Sequence, residues 1–257
     1  MRQHVHIAVA MAIWAVGCSA VLAEETPTLE SVEKQIDEVW AKVNSFTAKT
    51  SVDSKVPFGP MTMTSTGTGR VEFLKVEGEP RFRMEMVNKL GANIPLPGGA
   101  GEQKILGVFD GKNFYQQIEA LGMKKVFKGA PEESGDKGPF TGKNALESLR
   151  KKGALRLLPE EVVEGAPVYV IEVTPNAEVI AKSPMKYDKM LAYIAKDSGI
   201  QIQLLAMDGD HAVMSMRYSD IELNVPIEES HFVFVAPPGT PIEDMSKGLP
   251  GLRRGSL

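Results

Sequence analysis

From Leu29 onward apolar residues recur at spacings of three and four, through Val32, Ile36, Val39, Trp40, Val43 and Phe46, with Glu30, Glu33, Lys34, Asp37 and Lys42 between them. That period predicts an amphipathic helix at about 27–45. Thr26 with Pro27, or Thr28 itself, supplies its start, because a threonine oxygen accepts from first-turn amides and proline has no amide to satisfy. The period then changes to two. Met61, Met63, Ser65, Gly67, Gly69, Val71 and Phe73 alternate with Thr62, Thr64, Thr66, Thr68, Arg70 and Glu72, which is a long strand with two distinct faces.

Phe82, Met84 and Met86 alternate with Arg81, Arg83 and Glu85, and further strand-like runs fall at 104–109, 112–118, 166–174, 187–196, 200–207, 211–223 and 231–235. Asp110-Gly111, Asp197-Ser198-Gly199 and Asp208-Gly209 separate neighbouring runs. Such turns are too short for the helical crossover of a parallel sheet, so the expectation is an antiparallel meander. Loops are expected at Gly91–Glu102 and Lys128–Pro139. Asn144 to Glu147 has the form of a capping box, Ala145, Leu146 and Leu149 make a narrow apolar stripe, and Gly153 could close a short helix at about 143–152 in a left-handed conformation. No internal repeat or domain linker is visible.

The ends read differently. Arg2 precedes an uncharged stretch from Ile7 to Ala23 that closes in Val21-Leu22-Ala23, the pattern of a secretory signal peptide over residues 1–23. An alternative is that Ala15-Val16-Gly17-Cys18 acts as a loose lipobox, with Cys18 acylated after cleavage. Residues 24–245 then form one domain, and the tail 246–257 has too little apolar content to dock and is expected to be disordered. Export places the domain in a bacterial periplasm, or on the outer membrane if Cys18 is acylated.

Composition narrows the chemistry. The 257 residues carry 29 Lys+Arg against 33 Asp+Glu, a formal charge of −4, which argues against nucleic-acid binding. Of 4 histidines only His211 and His231 lie beyond the export segment, and the single cysteine is Cys18, so metal and triad chemistry are short of parts. Asp110 and Asp208 each precede glycine, where aspartate serves the turn. No nucleophile elbow, zinc-protease helix or phosphate loop is present, and the chain reads as non-enzymatic and without a cofactor. Gly67 and Gly69 are expected to mark a bend or bulge.

The methionines are more informative. Met61 with Met63, Met84 with Met86, and Met214 with Met216 each share a strand face. With Val71, Phe73, Phe82 and Tyr218 they would form a deformable apolar wall suited to acyl chains, although ordinary core filling explains such faces too. Met-x-Met pairs could also bind Cu(I), a remote alternative. Arg81 and Arg83, opposite Phe82, are either a solvated face or contacts to a lipid head group or acidic partner. Arg150-Lys151-Lys152 complements a helix dipole.

Four segments carry a resemblance. They are Val43-Asn44-Ser45-Phe46-Thr47-Ala48, Gly78-Glu79-Pro80-Arg81-Phe82-Arg83-Met84-Glu85, Val108-Phe109-Asp110-Gly111-Lys112-Asn113-Phe114-Tyr115 and the Phe232–Asp244 stretch with Pro237-Pro238-Gly239. In this order the chain resembles the bacterial outer-membrane lipoprotein carriers, the LolA/LolB-like superfamily. The resemblance implies an α+β, mainly β fold, a curled antiparallel sheet forming an open half-barrel around an N-terminal helix and short lid helices. It also implies a chaperone of lipid or lipoprotein transport that shields acyl chains, with an inner-membrane release complex or outer-membrane acceptor as partner. The family's basic residue before the hairpin proline is Glu79 here, with Lys75 further back. The same fold also serves envelope sensors and protein-interaction modules, which is the alternative function.

Overall fold

A computed structural model of the chain describes residues 27–58, 61–92, 101–129, 145–183 and 185–244. The signal peptide, Cys18, the Asn144 cap and the tail lie outside these residues. Helix α1 (Leu29–Trp40) starts at Thr28, whose side chain accepts from the Ser31 amide while Ser31 accepts from the Thr28 amide. It is shorter than its periodicity suggests, because the chain turns after Trp40 and β1 (Ser45–Phe58) takes up Phe46.

Strands β2 (Met61–Val76), β3 (Glu79–Ala92), β4 (Gly101–Phe109), β5 (Phe114–Ala120) and β6 (Met123–Gly129) continue from β1 as an antiparallel meander. Helix α2 (Ala145–Lys152) leads into a second meander of β7 (Gly153–Val163), β8 (Ala166–Pro175), β9 (Lys189–Ala195), β10 (Gln201–Asp208) and β11 (His211–Leu223), with helix α3 (Ala177–Lys182) after β8. β11 pairs with β1 and joins the meanders into one open, curled sheet of 12 strands among the described residues. The expected mainly β half-barrel is what the chain forms.

Several local expectations change. The loops after β3 and β6 begin later than the glycines suggest, since Gly91 and Gly129 are still in strands. Gly153 does not close α2 in a left-handed conformation; it opens β7, and a Cβ there would sit 1.9 Å from the Thr174 carbonyl oxygen. Gly67 and Gly69 mark no bulge, because β2 keeps unbroken register with both neighbours. The run 231–235 is not a strand. It contains a 3-10 turn, Glu229–Phe232, and the chain then crosses the sheet to form β12 (Ile242–Asp244), parallel to β6 and outside the antiparallel pattern.

The helices identify the inner face. Val32 and Ile36 of α1 and Leu146 and Leu149 of α2 form one buried cluster with Tyr169, Ile171 and Val173 of β8, Met190, Ala192 and Ile194 of β9, and Ala206 of β10. Cross-strand partners share a face, and the registers Tyr169↔Ile194, Ile171↔Ala192, Leu204↔Ala192 and Met216↔Leu204 carry this face to β11. Arg150 clamps α2 to α1 through two 2.7 Å bonds to the Glu33 carboxylate. The Gly199 turn tucks beneath α1, where a Cβ would lie 3.0 Å from the Ile36 carbonyl oxygen and φ is +70°, so glycine is required twice over.

Candidate functional site

Continued across β1 to β5, the inner face resolves into transverse rows. Phe46, Phe73, Phe82, Phe109 and Phe114 stand in cross-strand register on five successive strands. Their rings meet at 5.3 Å for Phe46 and Phe73, and at 5.8 Å for Phe82 with both Phe109 and Phe114. Trp40, at the end of α1, closes on this row 5.0 Å from Phe73. Lys75 holds the junction: its ammonium donates to the Trp40 carbonyl at 2.8 Å and lies 4.8 Å above the indole, and burial lowers its pKa.

The next rows are aliphatic and sulfur-rich. Ala48, Val71, Met84, Gly107 and Gln116 align in one, and Thr50, Gly69, Met86, Ile105 and Ile118 in the next. Val52, Gly67, Asn88 and Gln103 follow, so polarity rises with distance from the phenylalanines. Across the β1–β11 seam Tyr218 pairs with Thr50, Met216 with Val52 and Met214 with Ser54.

The register therefore brings Met63, Val71, Phe73, Phe82, Met84, Met86, Met214, Met216 and Tyr218 onto one face. Val71, Phe73, Phe82, Met86 and Tyr218 are buried, whereas Met63, Met84, Met214 and Met216 are half-buried. Met214 packs with the helix-covered cluster, and Met84 and Met216 pack against the aromatic one. Met61 opens β2, and its side chain is outside the described set.

Arg81 and Arg83 occupy the outer face and are tied within the chain. Arg81 pairs with Glu229 at 3.0 Å, and Arg83 bonds Glu85 and donates to the His231 carbonyl at 3.3 Å. His231 meets Glu72 at 3.0 Å, and Phe234 stacks on Tyr115 with centroids 4.9 Å apart. Residues 229–244 thus form a strap across β2 to β5. Val108, in register with Arg83 and Tyr115, lies on the strapped face and is 0% exposed, and Phe232 within the strap is 1% exposed. The alternation at 231–235 suggests a strand there, and nothing in it announces a strap.

A cavity of about 340 Å³ opens on this outer face, lined by Arg70, Glu72, Arg83, Glu85 and His231. Its charges pair with one another, Arg70 with Glu72 at 3.3 Å and Arg83 with Glu85, and it is separate from the methionine rows. His211 is exposed at the start of β11. Asp110 Oδ1 accepts from the Lys112 and Asn113 amides at 2.8 and 2.7 Å, and Asp208 pairs with Lys186 beside the Gly209 turn. Among the described residues no group of three or more His, Cys, Asp or Glu could hold a metal ion.

The chain matches no protein-family model and no curated sequence. Solved structures share its fold. An uncharacterized conserved protein from Thermus thermophilus is similar at 11% identity, over 84% of this chain and 98% of its own, with a TM-score of 0.50. A LolA superfamily protein from Nitrosomonas europaea is similar at 14% identity over 81% of this chain and 99% of its own, with a TM-score of 0.28. The Pseudomonas aeruginosa MucA/MucB complex contains a chain similar at 17% identity over 81% of this chain and 66% of its own, with a TM-score of 0.41. At 11% identity, the likeness to the Thermus thermophilus protein is one of fold.

Proposed function

We propose that this protein is an exported, periplasmic, non-enzymatic carrier that shields the acyl chains of lipids or lipoproteins on the inner face of its half-barrel. The supporting observation is the ordered inner face of β1 to β5, with a floor of five registered phenylalanines closed by Trp40 and then rows containing Met84, Met86, Ile105 and Ile118. Among the described residues α1 and α2 pack mainly on β8 to β10, and of these two helices only the end of α1 joins the aromatic cluster. Each methylene buried there contributes about 0.8 kcal/mol, so affinity is readily supplied and release requires the face to be closed. Flexible thioethers allow one wall to fit chains of different shape.

The test is native mass spectrometry of the chain purified from the periplasm of a bacterial host. Bound mass that denaturation releases and that matches acyl lipid is the expected result. Met63→Asp and Phe82→Asp should abolish that mass, and Arg81→Ala, on the opposite face, should retain it. A clean protein mass that stays clean after incubation with lipid would favour a protein-interaction module instead. The strap favours this second reading, since it presents Val233 and Val235 outward, the latter 79% exposed.

A further inference from the structure

Two polar atoms on the inner face are unsatisfied. Thr50 Oγ1 and Asn88 Oδ1 are buried and have no hydrogen-bond partner among the described residues. Thr50 as a whole is 3% exposed. A buried hydroxyl or carbonyl without a partner is costly and calls for an explanation, of which a bound water or ligand group is one; the third such atom, Asp37 Oδ1, lies on α1 away from these rows. Both lie beside the side-chain-free positions of β2, since Thr50 pairs with Gly69 and Asn88 with Gly67.

The glycines are required because neighbours lie across them. A Cβ on Gly67 would sit 2.1 Å from Asn88 Oδ1 and 3.1 Å from Met86 Cε, and one on Gly69 would sit 1.9 Å from the Glu85 carbonyl oxygen and 2.9 Å from Met86 Cγ. Met86 and the Asn88 side chain therefore lie over a trough whose floor is β2 backbone, with Thr50 and Val52 of β1 along one side. The three rotatable bonds of Met86 let it swing away. The trough would then open without movement of the sheet, with both unsatisfied oxygens bordering it.

We infer that this Gly67–Gly69 trough is a subsite for the polar linkage of a bound amphiphile, one that donates hydrogen bonds, such as a hydroxyl or an amide N–H. The inference rests on the carrier reading and adds ligand chemistry and orientation to it. Asn88 Oδ1 can only accept, and the Thr50 hydroxyl can accept as well as donate, so donor groups on the ligand can satisfy each. At about 3.3 Å per residue, Thr50 lies roughly 13 Å along β1 from Phe46, and Asn88 roughly 20 Å along β3 from Phe82. The tail end of the acyl chain faces the phenylalanine floor, and the linkage sits one medium-length chain above it.

Trp40 is the only tryptophan outside the export segment and stands at the floor, so its emission reports filling. Titration with monolauroylglycerol, which carries hydroxyl donors, and with methyl laurate, which has the same chain and none, tests the subsite. The periplasmic protein should bind the former about tenfold more tightly, the effect of one well-made buried hydrogen bond. Asn88→Leu and Thr50→Val should each reduce that ratio and together bring it to about one, whereas Thr50→Ser should retain it. Asn88→Leu, at a half-buried position, serves alone if Thr50→Val fails to fold. A wild-type ratio of one, or a ratio that survives Asn88→Leu and Thr50→Val, overturns the subsite and leaves the carrier reading intact. Binding of neither compound overturns both.

Discussion

The two halves of the inner face have the same strand chemistry and different covers. On β8 to β10, Ile171, Val173, Ala192 and Ile194 are sealed by Val32 and Ile36 of α1 and by Leu146 and Leu149 of α2. On β1 to β5 the same face is buried at Val71, Phe73, Phe82, Met86 and Phe109 but only half-buried at Met84, Ile105, Phe114 and Ile118, and unsatisfied oxygens stand at Thr50 and Asn88. One half is completed by its own chain and the other is completed only in part. A fold that needs just stability would cover both alike. On the proposed carrier reading, the covered half contributes stability and the partly covered half contacts the ligand.

The comparison is broken most directly by truncating the completed core. Phe73→Ala at the floor should cost about 3–5 kcal/mol, and Ile171→Ala beneath the helices about 2–5 kcal/mol, both read by urea denaturation. Acyl uptake by folded Ile171→Ala should match wild type, because its site is under the helices. Gly69→Ala comes next, at about 1–3 kcal/mol, since its Cβ would fall 1.9 Å from the Glu85 carbonyl oxygen. Met84→Ala should show the opposite balance to Ile171→Ala, costing about 1–2 kcal/mol, less than a fully buried methionine, while weakening acyl uptake more than tenfold. If it weakens stability as much as Ile171→Ala and leaves uptake intact, the halves are not functionally distinct.

The smaller effects concern attachments. Phe234→Ala should remove about 0.5–1.5 kcal/mol by unstacking the strap from Tyr115, seen as a lower midpoint in thermal unfolding. Glu33→Gln should cost at most about 1 kcal/mol, because its pair with Arg150 is partly exposed. The Arg150 hydrogen bonds hold the Glu33 carboxyl below its ordinary value of 4.5, against the opposing effect of burial. The folded pKa being the lower one, this contribution is fully present above 4.5 and is lost as pH falls through the folded value. The stability gap between wild type and Glu33→Gln should therefore close under acid, and a gap independent of pH would assign the effect to packing.

Most of the strand content was legible because a half-covered sheet writes itself as alternation, as in Met84-Glu85-Met86 and Met214-Ser215-Met216. Where both faces are buried the alternation disappears, yet β8 was still recognisable from its β-branched Val168, Val170, Ile171 and Val173. β7 is absent from the strand-like runs, since Pro159, Glu160 and Glu161 interrupt its alternation. Its position at the sheet edge, with a register shift between Leu158 and Glu161, is where proline and a bulge are tolerated. The strap was misread for a related reason. Phe232-Val233-Phe234-Val235 alternates like a strand, but Phe232 and Phe234 pack on the outer surface of a sheet that already has its neighbours.

What the sequence determined by itself was periodic and local: the capped start of α1, the two-sided strands, the aspartate turns and the pairing of methionines on single faces. Each follows from interactions within a few residues, so the order of side chains suffices. Tertiary structure alone decided that five phenylalanines from separate strands align as one floor, that Arg81 and Arg83 are bound to the strap, and that Thr50 Oγ1 and Asn88 Oδ1 have no hydrogen-bond partner among the described residues. Those outcomes depend on inter-strand register and on where the helices and strap come to rest. Both are set by contacts between residues far apart in the chain, and no local pattern contains them.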